Sequence, residues 1–351
     1  MTDLSMSTLG ILAGFAGGLI LGAVGLRANF CVMGSISDIW ITGDWRRFRG
    51  WLLAIAVALL GTEALRLAGA ITLDGAAYLA PSFGWVAAIL GGLLFGIGMT
   101  LAGGCAHRCL VRTGAGSLKA LLVIVIMALS AFACSEGVLA PARRWIAEFG
   151  TMMSTAKSQD VSLLLATAFG IQATWLRTAI AGALAAVLLW FCFKDRPFRA
   201  SWRNIVAGLS IGAIVPFGWL VTGGLMGKAS RAPDSFNFVT PLGDAASYVS
   251  GGERMLSFGI AAVPGVVIGS FLAVAWPWRF RIEAPSDRKD TIHLALGGAF
   301  MGVGGTLALG CTIGQGVTGV STLALGSLLA WGAIVAGSVL CLRYLEWSER
   351  V

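Results

Sequence analysis

Long apolar stretches separated by short, mostly basic segments dominate this chain. Crossing ~30 Å of hydrocarbon takes about 20 apolar residues, and hydropathy windows of that length predict nine membrane spans. The predicted spans cover residues 8–26, 51–68, 84–103, 117–140, 176–193, 204–226, 255–276, 292–309 and 322–342. Hydrophobic residues make up 57% of the chain and charged residues 12%, about half the charge of a soluble protein. The pattern predicts an all-α polytopic membrane protein.

The basic residues predict how the chain is oriented. They cluster between spans at Arg46-Arg47-Arg49, at Arg108, Arg112 and Lys119, at Lys194-Arg196-Arg199-Arg203, and at Arg279-Arg281-Arg288-Lys289. With Arg27, Arg343 and Arg350, these clusters place 17 of the 25 Lys and Arg on one side. The positive-inside rule then predicts an outer N-terminus and a cytoplasmic C-terminus. Orientation in the membrane thus explains the net charge of +8 without a nucleic-acid partner.

One glycine-rich segment occurs twice in the sequence. Gly91–Cys105, GGLLFGIGMTLAGGC, aligns with Gly297–Cys311, GGAFMGVGGTLALGC, at an offset of 206 residues. Nine of the fifteen positions are identical, where composition alone would give about one or two. The copies lie on the third and eighth predicted spans, so they would cross the membrane in opposite directions. We therefore expect an inverted pseudo-two-fold repeat of two halves, residues 1–199 and 200–351, with broken or re-entrant half-helices.

Both copies end in a Gly-Cys pair, where an apolar helix breaks. A broken backbone at membrane depth is tolerated only if it is buried in protein or lines a water-filled cavity. Thiols are polarizable and weak hydrogen-bond donors, and half-helix ends carry partial charge. A hard oxyanion such as phosphate would instead call for Arg or Lys. The sequence therefore predicts a binding path for a sulphur-containing anion.

The predicted binding residues are three cysteines and their small or polar neighbours. The segment Leu26–Asp38 reads as a short re-entrant piece, and its loose counterpart in the second half is Phe217–Gly223. Glycine beside Cys105 and Cys311, and three residues after Cys31, would let backbone N–H groups approach a passing ligand. The set consists of Cys31, Cys105, Cys311, Gly34, Gly104, Gly310, Thr312 and Gln315.

Several simpler interpretations compete with this one. Buried cysteine is usually a small packing residue, and we expect that role for Cys134, Cys192 and Cys341. Cys105 to Cys109 could form a soft-metal site, but the second copy lacks matching ligands. We therefore expect no metal and no cofactor. Residues 229–254 are the longest polar stretch and are predicted to form an external loop.

Three motifs resemble the YeeE/YedE sulphur-transport family of bacterial inner-membrane proteins. They are Asn29-Phe30-Cys31-Val32-Met33-Gly34, Gly104-Cys105 with Leu110-Val111-Arg112, and Leu309-Gly310-Cys311-Thr312-Ile313-Gly314-Gln315-Gly316. The resemblance implies a transporter rather than an enzyme, which takes up thiosulfate and passes it along Cys31, Cys105 and Cys311. Ala106-His107-Arg108-Cys109 departs from the small polar residues usual in the family after the first-repeat cysteine.

Other functions remain open at this point. The chain could be a membrane sulphurtransferase that forms a cysteine persulfide, which requires a thiolate beside a fixed cation. It could import a selenium compound, or bind metal or sulphur species without transport. A soluble cytoplasmic sulphurtransferase would be a plausible partner for an importer. Passage of unaltered substrate, a covalent sulphur adduct and retained metal would distinguish these classes.

Overall fold

The computed structural model describes residues 3–153, 158–170, 172–226, 232–251, 256–275, 280 and 282–350. The helices in these ranges are α1 (Asp3–Arg27), α2 (Val32–Thr42), α3 (Arg46–Leu67), α4 (Trp85–Leu101), α5 (Ala106–Gly114), α6 (Leu118–Ser135), α7 (Ala140–Glu148), α8 (Val161–Phe169), α9 (Ala173–Phe193), α10 (Arg196–Arg199), α11 (Trp202–Trp219), α12 (Val239–Val249), α13 (Phe258–Ala275), α14 (Arg288–Leu307) and α15 (Leu325–Arg350). Two segments are π-helical, Leu220–Leu225 and Gly314–Gly319. Strands β1 (Ser82–Gly84) and β2 (Thr151–Met153) form one small antiparallel two-stranded sheet, with Ser82 opposite Met153.

Within the described ranges, eight helical stretches are long and apolar enough to cross a membrane. They are Ser7–Thr42, Arg46–Leu67, Trp85–Gly114, Leu118–Ser135, Ala173–Phe193, Trp202–Leu225, Phe258–Ala275 and Leu325–Ser348. The predicted all-α polytopic membrane fold is confirmed. The predicted span 292–309 falls on α14, which is not among the eight because Asp290 and His293 lower its hydropathy.

Glycines let the central helices approach at backbone distance. Along the α4–α14 contact, Gly91 lies against Gly304 and Gly98 lies against Gly297, so the two helices run antiparallel. A Cβ atom placed on Gly98 would be 2.7 Å from the Gly297 carbonyl oxygen, so only glycine fits there. The repeated segment of the sequence is thus a helix-packing seam in which the two copies contact each other.

Buried ion pairs attach the peripheral helix α9 to the core. Arg177 contacts Glu63 of α3, with Nε and Oε2 3.1 Å apart, and it also binds the carboxylate of Asp160. Asp160 caps α8 and forms a backbone bridge with Ala324. This network fixes the neighbouring Gln159 beside the start of α15.

The described part of the predicted external loop is folded into the core. Phe236 and Phe238 are 0% exposed, and α12 follows them directly. Polar residues of this stretch find their hydrogen-bond partners inside the protein: the Ser235 hydroxyl donates to the Val215 carbonyl at 2.9 Å. The loop prediction is therefore wrong for residues 232–251, while residues 229–231 and 252–254 lie outside the described residues.

Candidate functional site

Three breaks between helices share one backbone geometry. Two residues before each cysteine, the backbone is left-handed, at Asn29 (φ 53°), Gly103 (φ 68°) and Leu309 (φ 59°). The residue between donates its N–H to a carbonyl five residues back, at Phe30 (3.1 Å), Gly104 (2.9 Å) and Gly310 (2.8 Å). This bond pattern is a Schellman helix ending. Each cysteine therefore follows a closed helix end and begins the next helix.

The next helices are α2 after Cys31, α5 after Cys105 and the helix of residues 312–321 after Cys311. The Cys31 Sγ accepts a hydrogen bond from the Gly34 N–H at 3.5 Å, and the Cys311 Sγ accepts one from the Gly314 N–H at 3.4 Å. Helix N-termini carry unpaired N–H groups and partial positive charge, which favour anions. Three thiols thus mark three positively polarised helix starts.

The structure brings the three predicted cysteines into one buried cluster. The Cys31 thiol contacts the Cys105 thiol, and Cys105 also contacts the hydroxyl of Thr312. Cys311 precedes Thr312 in the chain. Exposure is 4% for Cys31, 1% for Cys105 and 0% for Cys311. In this conformation all three thiols are shielded from solvent.

Polar atoms on the helix that follows Cys311, or packed against its Gly316, are buried without complete hydrogen bonding among the described residues. They are the Thr312 hydroxyl, the Gln315 Oε1 and the Trp331 Nε1. Buried polar atoms normally have partners, so this group offers unused donors and acceptors to a small ligand. Two of the three, Thr312 and Gln315, belong to the predicted set, whereas Trp331 reads in the sequence as an ordinary membrane-helix aromatic.

Asn237 holds the Cys311 turn in place. Its Oδ1 accepts hydrogen bonds from the N–H groups of Phe238 (2.7 Å), Val239 (3.3 Å) and Cys311 (3.3 Å). The side chain thereby joins the start of α12 to the cysteine 74 residues further on. Sequence reasoning missed Asn237 because it lies in the stretch predicted to be an external loop.

A cavity of about 160 Å³ lies on the Gln315 side of the cluster. Its lining includes Tyr78, Gln159 and Arg143 as well as Gln315, and Tyr78 also lies within electrostatic range of Cys311. This volume accommodates several water molecules or a small anion. Arg143 gives the cavity a positive charge.

Three arginines lie near the Cys31 and Cys105 part of the cluster. Arg108 lies near Cys31 and Cys105, and its neighbouring cations are Arg47 and Arg112. Arg47 is paired with Asp38 at 2.8 Å, and Arg112 is paired with Glu283 at 3.1 Å. The hydrogen bond from Arg112 holds the pKa of Glu283 below its ordinary value. The cluster therefore has Arg108 near two of its thiols and Arg143 in the cavity beside Gln315.

The predicted glycines serve close packing at the turns. A Cβ on Gly104 would lie 3.0 Å from the Arg108 Cγ, and at Gly34 it would collide with the Arg47 guanidinium. The N–H groups of Gly104 and Gly310 donate to backbone carbonyls, so in this conformation they do not point to a ligand. Gly34 differs, because its N–H reaches a thiol.

The remaining cysteines lie outside the cluster or beside it. All seven cysteines are free and buried. Cys109 packs next to the cluster, with its Sγ 3.6 Å from the Gly104 carbonyl oxygen. His107 is 1% exposed, and its Nε2 lies 3.3 Å from the Leu21 carbonyl oxygen. These two residues support the first turn of α5.

Comparison with known proteins identifies what this arrangement is similar to. Residues 27–340 match a protein family described as sulphur transport. The chain is 29% identical over 334 residues to the thiosulfate transporter TsuA of Escherichia coli, covering 88% of this chain and 86% of that protein. It is 27% identical over 328 residues to the thiosulfate transporter TsuA of Spirochaeta thermophila, covering 92% and 93% respectively. A shorter similarity, 29% over 120 residues, joins it to the probable transporter YedE of Escherichia coli and covers 34% of this chain and 27% of that protein.

Proposed function

The chain belongs to the sulphur-transport family, and from this membership we propose that it imports thiosulfate or a closely related sulphur anion. Relatives named thiosulfate transporters align with 88% and 92% of the chain. The observation that carries the proposal is the buried meeting of Cys31, Cys105 and Thr312, next to Cys311, at three helix N-termini.

Thiosulfate has two ends with different chemistry, and the site offers groups suited to each. Its terminal sulphur is soft and polarizable, and thiol S–H groups are weak donors to such an atom. Its sulfonate oxygens are charged acceptors, and helix N-termini and guanidinium groups are favourable partners for them. Thiol contacts hold an anion less tightly than a ring of lysine or arginine side chains would, and a conducting path requires binding weak enough for release.

The proposed path enters through the cavity of Tyr78, Arg143 and Gln315. The ion then contacts Cys311, next Cys105 and Cys31, and leaves beside Arg108. Because the thiols are buried, passage requires the constriction to open. The inner membrane is the proposed location, with the N-terminus outside and the C-terminus in the cytoplasm, so that Arg143 faces outward.

The repeat is proposed to be an inverted one, with halves 1–199 and 200–351. Support comes from the α4–α14 seam, where Gly91 contacts Gly304 and Gly98 contacts Gly297. At the offset of 206 residues, Gly91 corresponds to Gly297 and Gly98 to Gly304, so the two contacts are the same contact seen from either copy. Self-complementary contacts of this kind are what a two-fold axis generates.

Membrane energetics constrain the transport mechanism. Moving one elementary charge against 100 mV takes about 2.3 kcal/mol, so a divalent anion takes about 4.6 kcal/mol to enter a cell that is negative inside. Uptake by facilitated diffusion therefore requires rapid consumption inside. A soluble cytoplasmic sulphurtransferase that removes the sulphur is the proposed partner.

A membrane sulphurtransferase is the second candidate, favoured by one observation. Cys31 and Cys105 lie in contact beside the cation of Arg108, and a thiolate beside a fixed cation can attack a sulphane sulphur. In that function the thiolate bonds to the outer sulphur of thiosulfate, the S–S bond of thiosulfate breaks, sulfite leaves with the electron pair, and a persulfide remains on the cysteine. A selenium compound as substrate would use the same soft thiol contacts.

Uptake of thiosulfate labelled on its outer sulphur, in cells lacking other importers, tests the first candidate. We expect Cys311→Ala to reduce the initial rate at least about tenfold, because it removes a polarizable group from the constriction. Cys134→Ala is the matched control, since it is a buried cysteine of α6 outside the cluster. Equal uptake in both variants, at equal membrane insertion, would reduce Cys311 to a packing residue.

A further inference from the structure

The third residue after the cysteine is glycine at two of the three clustered cysteines and arginine at the other. This position is Gly34 after Cys31, Gly314 after Cys311, and Arg108 after Cys105. At the two glycines, a polar side chain from elsewhere fills the space: the Arg47 guanidinium lies against Gly34 and the Asn237 amide against Gly314. At Cys105 the chain supplies its own polar group. Each thiol thus has one polar side chain at the same place in its turn.

Arg108 is the cation of this group without a carboxylate. Its neighbours Arg47 and Arg112 are bound to Asp38 and Glu283, whereas Arg108 forms no ion pair within the described ranges. Its Nη1 is buried and lacks a hydrogen-bond acceptor among those residues. A buried donor left unpaired costs about 1–3 kcal/mol, and more when it is charged.

The position of Arg108 in α5 adds further positive charge around its guanidinium. Arg108 lies in the first turn of a nine-residue helix, where the partial charge of the helix is also positive. Arg47 of α3 and Arg112, one turn further along α5, add like charge. Such an arrangement is unfavourable for an empty site and favourable once an anion occupies it.

We propose that Arg108 is an anion-binding residue of the path, whose guanidinium holds the oxygen end of the sulphur anion while Cys31 and Cys105 face its sulphur end. This inference rests on the proposed function and names the residue that recognises the oxyanion. It assigns a substrate class with two poles, a sulphonate-like group and a terminal sulphur. A planar guanidinium matches two oxygens of such a group at once.

The inference distinguishes Arg108 from a merely orienting positive charge. Lysine keeps the charge and loses the paired donors, so Arg108→Lys should show an intermediate effect. Glutamine removes the charge and retains a polar side chain of similar reach. Arg112→Gln is the matched control, because it removes the same charge one turn further along α5, where Glu283 already occupies the guanidinium.

The experiment measures the concentration dependence of thiosulfate uptake by the full-length protein in proteoliposomes. We expect the KM for thiosulfate to rise at least about tenfold in Arg108→Gln, the loss of one charge-assisted hydrogen bond. The KM of Arg108→Lys should rise less, and the KM of Arg112→Gln should stay within about threefold of the wild-type value. Sulfate, which shares the oxygens and lacks the terminal sulphur, should inhibit wild type more strongly than Arg108→Gln.

A second readout separates this inference from the proposed function. Sodium thiosulfate should raise the melting temperature of purified wild type in detergent, and Arg108→Gln should lose this shift. Thiosulfate could raise the melting temperature of wild type but not of Arg108→Gln, while wild type shows no thiosulfate uptake. That result would overturn the proposed function and support the anion site. Normal KM and an unchanged shift in Arg108→Gln would overturn the anion site alone.

The remaining outcome assigns the counter-charge to a thiolate. If Cys31 itself neutralises Arg108, Arg108→Gln should slow alkylation of Cys31 by iodoacetamide and leave the KM unchanged. That result would contradict the inference and favour the sulphurtransferase candidate. If Arg108→Gln is unfolded, the KM of the conservative Arg108→Lys decides, since an anion site without the paired donors must bind more weakly.

Discussion

At the scale of single residues, Asn237 links the loop before α12 to the thiol cluster. Its Oδ1 accepts hydrogen bonds from three backbone N–H groups, including that of Cys311. One oxygen thereby satisfies buried donors from two distant parts of the chain. The amide Nδ2 donates to the Thr240 hydroxyl at 3.1 Å, which fixes the orientation of the side chain.

Two substitutions of Asn237 should distinguish its role in positioning the Cys311 turn from the effect of a negative charge at this place. Asn237→Ala leaves three buried donors without their acceptor, at about 1–3 kcal/mol each, and should lower both melting temperature and uptake. Asn237→Asp keeps the acceptor oxygen, so it should remain folded and yet slow the uptake of an anion by repulsion. Thr240→Val is the control, since it removes only the amide's partner. If Asn237→Asp transports as well as wild type, no anion passes close to this side chain.

The repeat was the strongest sequence signal for individual site residues, whereas Cys31 was predicted from the segment after the first span and from the family motif. The shared Gly-Cys ending singled out Cys105 and Cys311. Cys31 has the same left-handed turn, but Asn29 and Phe30 replace the glycines there. Leu309 also adopts a left-handed backbone that costs a non-glycine residue roughly 1–2 kcal/mol, which no sequence pattern signals. Trp331 and Asn237 belong to the site through tertiary contacts alone.

At the scale of elements, the glycine seam between α4 and α14 is the feature most open to test. Gly98 and Gly304 occupy equivalent positions of the two repeat copies, and a Cβ on either would meet backbone of the other helix. Gly182 of α9 has open space at its Cβ position, so it offers a control in another membrane helix.

Gly98→Ala and Gly304→Ala should each lower stability by about 1–3 kcal/mol, because an added methyl group overpacks a backbone contact. Gly182→Ala should be neutral or slightly stabilising, since alanine is the better helix former. Thermal unfolding in detergent measures all three. If Gly98→Ala is as stable as Gly182→Ala, the helices are not packed as closely as the structure shows.

The membrane helices could be predicted from the sequence, but the correspondence between segments of the two halves could not. The apolar runs gave eight of the predicted spans, because length and hydropathy decide membrane insertion. The counterpart assigned to the Cys31 segment, Phe217–Gly223, is wrong, since these residues continue α11 into a π-helix without a break. Asn29-Phe30 before α2 instead resembles Asn237-Phe238 before α12, and both helices have 11 residues.

At the scale of the whole molecule, the thiol cluster lies where the central helices break. Arg143 lines the cavity beside Gln315, and Arg108 lies near Cys31 and Cys105. Positive charge near the cluster attracts anions, and a transport path also requires binding weak enough for the ion to leave. On the proposed path, the buried thiols would have to move apart for the ion to pass.

The central claim is that an intact sulphur anion passes the thiol cluster. The most direct measurement follows thiosulfate labelled separately on each of its two sulphurs into proteoliposomes that contain wild type or Cys311→Ala. We predict that both labels reach the lumen in equal amounts with wild type, and that both are lost together in Cys311→Ala. Retention of the outer sulphur on the protein, with the other label left outside, would contradict transport and identify a sulphurtransferase.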